Sequence, residues 1–102
     1  MKLSRKPPEP EFSVSREITV LNKLGLHARP AAEFVRRASG FRSQIWIVKN
    51  GERFSAASLI DVMRANLECG ATAILEAKGV DAEIALEKLA TLLPELVGRD
   101  ED

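Results

Sequence analysis

QIWIVKNGERF, from Gln44 to Phe54, holds two β-rich runs around Asn50-Gly51. That pair is the strongest short-range signal for a β-hairpin, because a two-residue turn matching strand twist needs positive φ at both positions. Ile45 and Ile47 alternate with Trp46 and Val48, so the two sets face opposite sides of the sheet. Upstream, "REITV" repeats the alternation, with Ile18 and Val20 on one face. The period then changes: Ala31, Phe34, Val35 and Ala38 recur at helical spacing until Gly40. Downstream, "SLIDVMRANL" opens on a serine cap and has Ile60, Met63 and Leu67 at helical spacing. "ATAILEAKG" reads as a fourth strand, in which Ala73 and Leu75 alternate with Ile74. Asp81 is placed to cap a last helix bearing Ala82, Leu86, Leu89 and Leu93, with Pro94 near its end. The order β-α-β-β-α-β-α, with one apolar stripe per helix, predicts an α+β layer: helices on one face of a four-stranded sheet.

With 102 residues and 11.2 kDa, the chain suffices for one domain with a single modest core. Residues 1–14 carry Pro7, Pro8 and Pro10 among charges and read as a flexible N-terminal extension. The domain is expected over 15–97, followed by an acidic C-terminal tail over 98–102. Fifteen basic residues balance fifteen acidic ones, so no gross charge bias points to nucleic acid or a membrane surface. No apolar run approaches the roughly 18 residues of a transmembrane helix, and the N-terminus lacks the apolar core of a secretory signal. A cytoplasmic protein is the default. Cys69 is the one cysteine; it reads as a small packing residue near the end of the second helix, and it rules out an internal disulfide. With one histidine and one cysteine, no metal site or cofactor is expected.

That histidine lies in "NKLGLHARPAAEF", from Asn22 to Phe34. If a helix begins after His27, Pro30 falls in its first turn, where the missing N–H costs nothing. The other first-turn N–H groups and the helix dipole make a seat for an anion. Arg29 adds a charge that can fork onto phosphate oxygens, and Gly25 permits close backbone approach. Imidazole keeps a neutral, nucleophilic fraction near pH 7. The constellation fits a histidine that receives a phosphoryl group. The plainer alternative is a polar cap or loop residue.

"GLHARPA", residues 25 to 31, closely resembles the phosphorylation-site signature of the HPr family, histidine phosphocarriers of the phosphoenolpyruvate-dependent phosphotransferase system. The resemblance continues through the Asn50-Gly51 hairpin, "SLIDVM" and "ANLECGATAILEAKGVDAEIAL", over roughly residues 15 to 93. It implies an open-faced β-sandwich with antiparallel strand order 1-4-2-3. It also implies that His27 accepts the phosphoryl group of phosphorylated enzyme I on Nδ1 and passes it to IIA domains, with Arg29 stabilising the charge. Such a protein is a carrier in a relay rather than a stand-alone enzyme. Two branches of the family compete, one feeding sugar uptake and one nitrogen-related; members of the second often carry "NKLG", as Asn22 to Gly25 do here. A third reading is a docking module that moves no net phosphate, which would not need a reactive histidine.

Ser58 matches a serine that a kinase/phosphorylase controls in some relatives, which makes it a candidate regulatory site. With Asp61 it also forms a capping-box pattern, and Asp61 stands where a glycine is common and would repel an added phosphate. The family's docking surface would map to Leu26, Leu59, Ile60 and Met63, rimmed by Arg36 and Arg64, unless Ile60 is core. A monomer is expected. Trp46, Val48 and Ile74 should form an apolar patch on the open sheet face, to be covered by the tail carrying Phe12 and Val14, covered by a second copy, or left as exposed cross-strand packing.

Overall fold

The computed structural model describes residues 13–99. Readings that fall on residues 1–12 and 100–102, Phe12 and the proline-rich stretch among them, lie outside the described residues. The elements run β1 (Ser13–Thr19), α1 (Ala28–Ala38), β2 (Gln44–Lys49), β3 (Glu52–Ser55), α2 (Leu59–Arg64), β4 (Thr72–Lys78) and α3 (Ala82–Arg99). The strands form one antiparallel sheet in the order β1-β4-β2-β3, as the resemblance implied. β1 begins before the expected boundary at Ser15, because Ser13 and Val14 pair with Lys78 and Ala77. α3 runs to Arg99, past Pro94 and into the stretch read as tail.

The core lies between the sheet and the helices. Ile47 faces Leu75 on one neighbouring strand and Phe54 on the other, and Ile18 faces Ala73. Ala31, Phe34 and Ala38 of α1 and Leu86, Leu89, Leu93 and Leu96 of α3 close over them. Phe34, Ile47, Leu75, Leu89 and Val62 are almost wholly excluded from water. Burial of each such side chain contributes about 1.5–3 kcal/mol. The β2–β3 turn is the one expected, with Asn50 at φ 52° and Gly51 at φ 81°.

The side chains of Asp81 and Val14 depart from the sequence reading, and those of α2 decide between its alternatives. α2 has six residues, and its buried side chain is Val62; Ile60 is 71% exposed and Met63 41%, so both are on the surface, as the docking reading expected, and Ile60 is not core. A helix shorter than two turns has room for one inward position, and the buried Ala65 and Leu67 lie beyond its end. Asp81 precedes α3, but its carboxylate accepts from the backbone N–H groups of Arg42 and Ser43, each at 2.8 Å, and from the Ser43 hydroxyl at 2.5 Å. It ties the α1–β2 connection to the start of α3. Val14 packs against the core, as its pairing with buried Ala77 requires, so it does not cover the open face.

On that open face Trp46 sits opposite Glu76 and Val48 opposite Ile74. The Arg53 guanidinium lies 4.0 Å from the centre of the Trp46 ring and pairs with Glu76 at 3.0 Å. The patch is therefore partly roofed by a charged side chain of its own sheet.

Candidate functional site

The loop between β1 and α1 is laid against the segment between α2 and β4. Val20 N–H donates to Ala71 O at 2.9 Å, Gly70 N–H to Val20 O at 2.6 Å, and Leu26 N–H to Leu67 O at 2.8 Å. Within the loop, the Asn22 side-chain amide donates to Gly25 O at 3.0 Å, and Gly25 N–H to Asn22 O at 3.3 Å. Gly25 has φ +66°, and a Cβ there would stand 2.6 Å from Leu67 O and 2.7 Å from Glu68 Cα. Both the conformation and the approach demand glycine. Asn22 and Gly25 of "NKLG" thus have structural work in closing this turn.

The turn delivers His27 to the N-cap position of α1, with φ −81° and ψ −175°. Its carbonyl accepts the first helical bond, from Ala31 N–H at 2.9 Å. Its side chain makes no cap hydrogen bond, so the plainer reading of His27 as a polar cap does not hold. The residue is half-exposed while its Nε2 is shielded from solvent. Ala28 and Arg29 follow, both exposed; Pro30 and Ala31 are buried. The first turn of α1 contains no acidic residue. A helix N-terminus, an arginine two residues on and a first turn without carboxylates together favour a transient negative charge.

α2 packs beside α1 and carries Leu59, Ile60 and Met63, exposed by 40%, 71% and 41%. Leu26 does not join them. At 6% exposure it belongs to the core, because its N–H is tied to Leu67 O and its side chain turns inward. Arg36 is bound to Glu33 at 2.6 Å, and Arg37 reaches the same carboxylate at 2.9 Å. The Arg36 hydrogen bond above all, with help from Arg37, holds the Glu33 carboxyl below the ordinary carboxylate range against the opposing effect of desolvation. Arg64 pairs with Asp61 at 3.5 Å and Glu52 at 3.8 Å. Leu21 and Leu24, exposed by 81% and 56%, were missed in the sequence; two leucines in a polar loop just before the histidine are the signal that could have marked them.

Ser58 caps α2, its hydroxyl accepting from Asp61 N–H at 3.2 Å. The Asp61 carboxylate closes on Ser55 N–H at 3.2 Å rather than on Ser58, so the pattern is half a capping box. Cys69 is exposed in the turn before β4, contrary to the packing role expected for it. No group of three or more His, Cys, Asp or Glu side chains among the described residues could hold a metal ion. No described helix is long and apolar enough to cross a membrane. A groove of about 510 Å³ lies between β1 and α3, lined by Ile18, Val20, Ala90 and Leu93 among others, and His27 is not part of its wall. The histidine is half-exposed and lies outside that groove, which suits a group handed between proteins better than one acting on a small substrate bound there.

A family model described as the PTS HPr component phosphorylation site matches residues 14–95. The phosphocarrier protein HPr of Cupriavidus necator is 36% identical over 88 residues, covering 86% of this chain and 99% of that protein. The phosphocarrier protein NPr of Shewanella violacea is 39% identical over 80 residues, covering 78% and 88%. The crystal structure of HPr from Thermoanaerobacter tengcongensis superposes with a TM-score of 0.78 at 40% identity, covering 83% of this chain and 96% of that one.

Proposed function

The chain belongs to the HPr family of phosphocarriers, and on that premise we propose that His27 is the residue that carries the phosphoryl group. The observation that carries the assignment is an N-cap histidine whose imidazole does not cap its helix. Burial of Nε2 leaves Nδ1 as the nitrogen to meet a donor. Its lone pair attacks phosphorus, the new N–P bond forms, and the bond to the donor's leaving group breaks with its electron pair. Arg29 and the first-turn N–H groups of α1 steady the charge on the phosphoryl oxygens as it arrives. The donor is phosphorylated enzyme I, and the acceptors are IIA domains in sugar uptake or its regulation. Leu59, Ile60, Met63, Arg36 and Arg64 serve partner docking, and Leu21 and Leu24, exposed on the loop that leads to His27, are assigned to the same role. Ser58 is assigned to capping α2, on the support of its bond to Asp61, and not to control by a kinase/phosphorylase.

The test is transfer of labelled phosphate from phosphoenolpyruvate by purified enzyme I. The wild-type chain should take up acid-labile, base-stable phosphate, and His27→Ala should take up none while keeping its far-UV spectrum. Label retained in the alanine variant would overturn the assignment.

A further inference from the structure

β2 ends at Lys49, and the direction of its side chain is unexpected. The ammonium leaves the hairpin and donates to Ala65 O at 3.1 Å and Asn66 O at 2.6 Å, the carbonyls at the C-terminal end of α2. Ala65 O has no partner within the helix and Asn66 O, just beyond it, also takes the Glu68 N–H at 3.0 Å; a cation is the donor best matched to that end of the dipole. Asn66 takes φ +54°, an uncommon conformation for a residue with a side chain, and it is held where Lys49 reaches it. The next residue is Leu67. Its carbonyl takes the Leu26 N–H, and Leu67 and Glu68 form the wall against which Gly25 is seated without space for a Cβ. Gly25 and Leu26 lead directly into His27. A second tie joins the same two elements, since Glu52, opposite Lys49 in the hairpin, approaches Arg64 at 3.8 Å. That contact is exposed and weak beside a two-carbonyl ammonium clamp.

We propose that Lys49 is a positioning residue for phosphoryl transfer: by clamping the C-terminal end of α2 to the β2–β3 hairpin, it fixes the Leu67 carbonyl that seats the His27 loop. It touches neither the histidine nor the phosphoryl group. Its effect passes through Asn66, Leu67 and Leu26, a continuous chain of backbone contacts. A small displacement of that seat moves the imidazole relative to the helix N-terminus, and transfer is sensitive to such displacement. The proposal rests on His27 being the acceptor for its kinetic part only; the structural part stands on the backbone contacts.

The experiment compares Lys49→Met, Lys49→Gln and Lys49→Arg with wild type in two measurements. Amide hydrogen exchange reads the seat directly. In Lys49→Met, the Leu26 amide should exchange roughly tenfold faster while the Ile47 and Leu75 amides of the central strands keep their protection. Lys49→Arg, which can still donate to two carbonyls, should restore protection, and Lys49→Gln should fall between. Phosphorylation by enzyme I should show kcat lowered roughly three- to tenfold in Lys49→Met with a smaller change in KM, because Lys49 is not a docking residue and holds α2 only at its far end from Leu59. Unaltered Leu26 exchange would overturn the proposal, and so would a loss of protection shared equally by Ile47 and Leu75, which would mean that Lys49 merely stabilises the fold. A wild-type chain that takes no phosphate would sink the His27 assignment and leave the exchange result to decide the clamp.

Discussion

Gly25 meets two demands at once, and either alone would select glycine. Its φ of +66° is unfavourable for any residue with a Cβ, and the atoms that a Cβ would strike are backbone atoms of Leu67 and Glu68, which cannot rotate away. Gly25→Ala is expected to destabilise the domain by about 2 to 3 kcal/mol, combining conformational strain with displaced backbone. Urea unfolding measures it; a loss under about 0.5 kcal/mol would mean that the loop re-forms elsewhere on the surface. Gly51, with φ +81° and nothing within reach of a Cβ, has only the conformational demand, so Gly51→Ala is the control for strain without collision.

Among elements, α3 is held at its start by a side chain that reaches away from it. The Ser43 hydroxyl and the backbone N–H groups of Arg42 and Ser43 keep the Asp81 carboxyl below the usual aspartate range. A carboxylate depressed on folding contributes stability that is complete above its unfolded pKa of about 3.9 and is lost as pH falls through the lower folded value. Asp81→Asn should therefore melt below wild type by a constant margin between pH 5 and 8, with the two curves converging below about pH 4. A margin that persists at pH 2 would assign the effect to geometry instead of charge. The sequence marked Asp81 as a helix start yet could not show its partners, which lie on another connection. The same physical limit explains the other misreadings. Asn50-Gly51 and the Ile45, Ile47, Ala73 and Leu75 alternation were legible because turn chemistry and strand period are local. α2 is too short for a period to establish a phase, so the sequence leaves Ile60 open between surface and core and does not pick out Val62 as the inward residue. Leu26 stands in a loop, where no period says which way a side chain points. His27 was legible as a candidate site from the residues around it, but that its ring leaves the cap unmade depends on the rotamer. Lys49 was invisible because the carbonyls it binds are made by residues far along the chain.

For the molecule as a whole, the sheet has one sealed face and one bare one. The bare face is mostly polar, and its indole lies under the Arg53 guanidinium, itself held by Glu76. The chain has a single tryptophan and no tyrosine, so fluorescence reports this contact cleanly. Arg53→Ala should red-shift Trp46 emission, and dilution of the wild-type protein should leave it unmoved. Emission unchanged in Arg53→Ala, or shifting on dilution, would give the cover to another chain instead.

The strand order carries a consequence for how the molecule comes into being. β4 lies inside the sheet, between β1 and β2, yet it is the last strand to be synthesised. While a ribosome is still making the residues before Thr72, β1 has no neighbour to pair with and β2 has only β3. The nascent chain then offers open strand edges on both sides of a gap, and such edges are where unfinished chains pair with one another. Closure waits for β4 to slide between two strands already present, joining Ser13 to Lys78 across most of the domain. Contacts so far apart in sequence place folding in the slower part of the range for small α/β domains, and they make the central strand, rather than the conspicuous hairpin, the step that commits the chain.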